Sequence, residues 1–118
     1  MNDMPVTTDE PSAPNQFAPD IWEAVDAARE WLDRANGVDR CELTLRILKV
    51  AEEAGEASAA WIGALGSNPR KGVTHTREDV VAELADVAMS ALVAVASLGY
   101  DPRQALERRS RAVTRRMT

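Results

Sequence analysis

Glu52-Glu53-Ala54-Gly55-Glu56 and Glu83-Leu84-Ala85-Asp86 are the two stretches whose residue types and spacing can do chemistry. Both lie in segments that read as helix, where residues three or four apart share a face with Cβ atoms roughly 5–6 Å apart. Glu53 and Glu56 therefore make one acidic pair, Glu83 and Asp86 another, and Glu52 reaches Glu56 one turn on. Like charges so spaced destabilise an isolated helix by roughly 0.2–0.5 kcal/mol per pair. A divalent cation held between two such helices would offset that repulsion.

The second pair sits in the more apolar setting. From Val80 to Leu98, Glu83 and Asp86 are the only charged residues. Val80, Leu84, Val87, Ala91, Val95 and Leu98 form one apolar stripe, with Ala82, Met89 and Val93 on the opposite side. A helix apolar nearly all round belongs in a core or a membrane. A span needs about 18–20 predominantly apolar residues, and only Val87–Leu98 follow Asp86. The stretch is expected to be a core helix carrying two carboxylates into low dielectric, where they neutralise or are held by partners, commonly cations.

The order E-E-x-x-E, then 26 residues, then E-x-x-D resembles the MazG-like all-α nucleoside triphosphate pyrophosphatases, over about Trp22 to Arg116. The resemblance implies an all-α four-helix bundle completed by oligomerisation, as a homodimer or homotetramer. It also implies Mg²⁺-dependent hydrolysis of a (d)NTP to the (d)NMP and pyrophosphate, with Mn²⁺ as a substitute cation. Carried over position by position, Glu53, Glu56, Glu83 and Asp86 match the metal ligands. Glu52 matches the leading acid, a helper or second-metal ligand. Mg²⁺ takes oxygen ligands, through carboxylates plus substrate phosphates. No Ser, Cys or His nucleophile constellation is present, so for the reaction that the resemblance implies the expected step is direct attack by water at the α-phosphorus, with Glu52 or Glu53 as candidate catalytic base.

Helices must hold these groups. Asp20 is a candidate N-cap for a first helix ending at Asn36-Gly37, with Trp22, Val25, Ala28 (or Arg29) and Leu32 at helical spacing. Trp22 and Trp31 are either packing residues or the aromatic wall for a nucleobase. A second helix from about Asp39 to Leu65 carries Leu43, Ile47, Val50, Ala54, Ala57 and Trp61 as its stripe, with Glu53 at the edge. Gly55 costs roughly 0.8–1.0 kcal/mol relative to Ala in a helix interior, which close approach of a helix or phosphate would explain. Lys49, one turn before Glu53, either meets a phosphate oxygen or stays a solvated charge.

Gly66–Thr76 is a connector, and Thr76-x-x-Asp79 reads as a capping box for the third helix. Asn68, Arg70 and Lys71 either close over a triphosphate or form a solvated turn, and His75 is expected at the surface. Gly99 ends the third helix, and Asp101-Pro102 opens a fourth running to about Arg116. Its six arginines, Arg109 among them, either balance the acidic helices or reach the terminal phosphates, whose geometry suits guanidinium. Ferritin-like di-iron bundles need Glu-x-x-His on paired helices, which this chain lacks.

At 118 residues the chain reads as a flexible Pro-rich tail over 1–19 and one helical domain over 20–118. A net charge of −5 argues against a nucleic-acid partner, which wants a basic face. No membrane partner is expected. The single Cys41 has no thiol to pair with and is expected in a buried or helix-start position. That and the lack of a signal-like apolar run point to the cytoplasm. The competing expectation is a non-catalytic helical module that binds nucleotide or metal, or drives oligomerisation.

Overall fold

Each helix starts at a residue that caps it. In the computed structural model, which describes residues 20–118, α1 spans Ile21–Asn36, α2 Arg40–Leu65, α3 Arg77–Ser97 and α4 Pro102–Arg115. The expectation of a tail over 1–19 lies outside the described residues. Asp20 accepts a hydrogen bond from the Glu23 N–H and Asp39 from the Glu42 N–H, each at 2.8 Å. Thr76 and Asp79 bond reciprocally across the start of α3 at 2.8 and 3.1 Å. Asp101 accepts from the N–H groups of Arg103 and Gln104, with Pro102 at the first helical position. Each cap satisfies donors that the first turn leaves without partners. Gly37 and Gly66, both at positive φ, close α1 and α2. Among the described residues the chain is all-α, with four helices and no strand.

α2 and α3 form an antiparallel pair, the most extensive packing between helices. Arg46 reaches Ser97 at one end, Glu53 and Glu56 approach Glu83 in the middle, and Arg77 lies over Trp61 at the other. α1 packs on α3, and α4 meets α3 only lightly. The buried apolar residues are Val25, Ala57, Ala60, Leu92 and Ala94.

Two expectations about packing are corrected. On α2 the buried line is Arg46, Ala57, Ala60 and Gly63, while Ile47, Ala54 and Trp61 are exposed. The helix is rotated from its expected setting, so Arg46 and Glu53 turn towards α3. Nor is α3 buried on all sides: only Leu92 and Ala94 are buried, Glu83 is half-buried and Asp86 exposed. α2 packs extensively along it and α1 less so; of its other apolar residues, Val81, Ala82, Leu84, Ala85 and Ala88 are exposed and the rest half-buried.

By length and composition α3 is apolar enough to cross a membrane, as the core helices of water-soluble proteins also can be. An acidic residue at the centre of a span costs about 3 kcal/mol. Here Glu83 instead sits beside the carboxylates of α2.

The close-approach glycine is also not the expected one. Space around Gly55 is open, whereas a Cβ at Gly63 would strike Thr74 Oγ1 and His75 Nδ1. The connector folds back onto α2 there, its Thr74 N–H donating to the Gly63 carbonyl at 3.0 Å. His75, expected at the surface, is half-buried by this contact, and its Nδ1 lies 2.8 Å from Thr74 Oγ1.

Candidate functional site

Glu53 and Glu56 are one turn apart on α2, and Glu83 faces them from α3. One carboxylate oxygen from each lies within 4.8 Å of the other two. The Glu53 side chain is only 12% exposed, because the rotation of α2 points it at α3 and not along the rim. Glu56 is exposed and Glu83 half-buried. The charge of Glu53, then partial burial, then Glu83 and Glu52 push the Glu56 carboxyl above the ordinary glutamate range. Such repulsion marks a place where positive charge is favoured.

One cation of the chain already answers it. Lys49 Nζ lies 3.3 Å from Glu53 and 3.6 Å from Glu52. Its hydrogen bond to Glu53, followed by the charge of Glu52, raises its pKa. Lys49 is an exposed charge, as one of the two expected readings had it, and is paired to the acids.

The other expected site residues are placed as follows. Glu52 is exposed on the solvent side of α2, and Asp86 is exposed one turn beyond Glu83, outside the group of three. Arg70 and Lys71 are exposed in the connector, where the Asn68 side chain and carbonyl cap a tight turn. Arg109 is exposed on α4. Among the described residues, none of these three pairs with a carboxylate. Trp22 is half-buried with the Arg103 guanidinium 5.2 Å from its ring centroid, in a cleft shared with Gly99 and Tyr100. Gly99 lies 16 residues beyond Glu83, about 24 Å at 1.5 Å per helical residue. Trp22 is thus too far from the acids to serve one small ligand with them.

The other tryptophan is better placed. Trp31, Leu32, Leu45, Met89 and Val93 line an apolar cleft of about 450 Å³ between α1, α2 and α3. Lys49 lies on the wall of this cleft and is paired to Glu53, so cleft and acid group are continuous.

The sequence reading missed Arg46. Its side chain is 4% exposed and donates to Asp33 at 2.6 Å, Glu42 at 3.0 Å, the Gly37 carbonyl at 2.9 Å and Ser97 Oγ at 3.1 Å. Asp33 also receives Arg29 at 2.8 Å. The i,i+4 spacings Arg29–Asp33 and Glu42–Arg46 were visible signals; that Arg46 joins them into one network was not.

The donor set fits a hard divalent cation: three carboxylates, no sulfur or nitrogen, and a separation compatible with metal–oxygen distances of about 2.0–2.6 Å after small side-chain adjustments. No protein-family model, no curated protein and no solved structure matches this chain.

Proposed function

We propose that the chain is a Mg²⁺-dependent nucleoside triphosphate pyrophosphohydrolase, converting a (d)NTP and water to the (d)NMP and pyrophosphate. The convergence of Glu53, Glu56 and Glu83 from two helices carries this reading, and the sequence resemblance supplies the reaction class. Mg²⁺, with Mn²⁺ as substitute, would be held by these three carboxylates, with Asp86 joining by a change of rotamer. When bound, such a cation withdraws charge from phosphoryl oxygens and lowers the pKa of water.

The chain's own residues supply the rest. Glu52 lies outside the tight group and faces solvent, so it is the carboxylate available to orient water and accept its proton. Lys49 is placed to exchange its pairing with Glu53 for a phosphate oxygen. The base enters the apolar cleft beside Trp31 in place of Trp22, since that cleft adjoins Lys49. Arg70, Lys71 and Arg109 would reach the outer phosphates only by movement of the connector or of α4. Reaction at a soluble nucleotide suits the expected cytoplasmic setting, with neither nucleic acid nor membrane as partner.

The test is pyrophosphate release from a panel of canonical and modified (d)NTPs with Mg²⁺, beside Glu53→Gln. Release that vanishes in the variant supports the reading; silence across the panel from folded protein overturns it. Uncovered apolar surface on α2 and α3 favours a second reading, a helical binding or oligomerisation module without turnover. A thermal shift with Mg²⁺ and nucleotide, but no pyrophosphate, would select it.

A further inference from the structure

α4 meets α3 only lightly, and none of its residues is buried. It is also where the positive charge gathers. Arg103, Arg108, Arg109, Arg111, Arg115 and Arg116 stand against one acid, Glu107. The net −5 of the chain thus divides into −10 over residues 1–101 and +5 over residues 102–118.

Arg108, Arg111 and Arg115 are three and four residues apart and share one exposed face, where like charges repel. Among the described residues no arginine of α4 meets a carboxylate; the ion pairs there belong to Arg29, Arg46 and Lys49. The helix macrodipole favours a cation in the last turn, which accounts for Arg115 but not for Arg108 or Arg111. Arg111 and Arg115, with Ser110, Thr114 and Thr118, line a surface cleft of about 490 Å³.

We propose that the N-terminal segment, residues 1–19, docks along this basic face of α4 within its own chain. The first support is charge: the segment carries Asp3, Asp9 and Glu10 and has no Lys or Arg. The second is place. The segment joins α1 at Asp20, and Trp22 lies under Arg103 in the first turn of α4. It therefore leaves the fold at the start of the basic helix. The third is reach. Pro5, Pro11, Pro14 and Pro19 suit an extended chain rising about 3.1 Å per residue, so Glu10 can lie about 28 Å from Pro19. α4, from Pro102 to Arg115, is about 21 Å long, so Asp9 and Glu10 can come beside any of the three arginines. Tethering gives the segment an effective concentration on the order of millimolar, ahead of other anions that would occupy the face. This inference does not depend on the catalytic reading.

The test attaches a nitroxide to the segment through Thr8→Cys in a Cys41→Ser background and follows the backbone amides of the full chain by NMR. Amides from Arg108 to Arg115 should lose most of their intensity. Those of Arg70 and Lys71, beyond the far end of α3 and about 30 Å away, should keep theirs. Salt near 1 M, where the screening length is about 3 Å, should restore the α4 signals. Arg108→Gln, Arg111→Gln and Arg115→Gln together should restore them too, as should Asp9→Asn with Glu10→Gln in the segment itself. Unbroadened α4 amides would overturn the proposal and leave the arginines to an external polyanion. So would broadening at Arg70 and Lys71 instead, or broadening that survives Asp9→Asn with Glu10→Gln. Broadening passed only from a labelled chain to an unlabelled one would overturn docking within the chain.

Discussion

Arg46 of α2 donates to Asp33 of α1 at 2.6 Å while its own side chain is only 4% exposed. The guanidinium also holds Glu42, the Gly37 carbonyl and Ser97 Oγ, so one side chain ties the end of α1 to the start of α2 and the end of α3. Burying a charge is costly unless its hydrogen-bonding capacity is met, and here the fork is filled from four directions. Because α1 makes its helix contacts mainly with α3, this clamp and the Asn36–Glu42 hydrogen bond at 3.2 Å are its polar attachments to α2 among the described residues.

Arg46→Ala should therefore lower stability by about 3 kcal/mol, since removing one member of a buried network strands the others. Arg34→Ala, at the exposed end of the same helix α1, should change stability by less than about 0.5 kcal/mol. Chemical denaturation of the two variants checks this, and equal effects would show that the clamp contributes nothing special.

The acid group should make stability depend on divalent cation. Mg²⁺ at a hundredfold excess over its Kd would add about 2.7 kcal/mol, read as a rise in melting temperature that Glu53→Gln or Glu83→Gln abolishes. Glu30→Gln, on exposed α1 surface, should keep the full rise.

Two carboxyls should give pH dependences of opposite sign. Glu56 is raised chiefly by the charge of Glu53, so the folded state holds its proton longer than the unfolded chain does. Stability is then lost as pH rises from the ordinary glutamate range through the raised value. Asp33 is lowered chiefly by its hydrogen bond from Arg46, so its contribution is present above the ordinary aspartate range and lost as pH falls through the lowered value. Melting temperatures measured in EDTA should show the first slope flatten in Glu56→Gln and the second in Asp33→Asn.

The two helix-interior glycines of α2 should respond in opposite directions. Gly55→Ala meets open space and should stabilise by roughly 0.8–1.0 kcal/mol through helix propensity. Gly63→Ala drives a methyl into Thr74 and His75 and should cost about 1–3 kcal/mol by overpacking. Thermal melts of the pair decide it; a stabilising Gly63→Ala would mean that the connector yields freely.

What the sequence alone determined is local. Asp20, Asp39, Thr76-x-x-Asp79 and Asp101-Pro102 set the starts of four helices, because a cap is completed by residues two or three positions away. The spacing of Glu53 and Glu56 placed two acids on one side of α2 for the same reason. Tertiary structure decided the rest. A helix with several apolar sides, such as α3, does not encode which side meets a neighbour, so periodicity could not show that Leu84 stays open while Leu92 is buried. The rotation of α2 about its axis turned Glu53 inward, put Arg46 where a stripe of aliphatic residues was expected, and left Asp86 outside the acid group. Packing between helices also gave the two tryptophans of α1 different neighbours, with Trp31 beside Lys49 and Trp22 under Arg103. Each of these depends on residues distant in sequence, and the free energy that selects among such packings belongs to the assembled helices and not to any one of them.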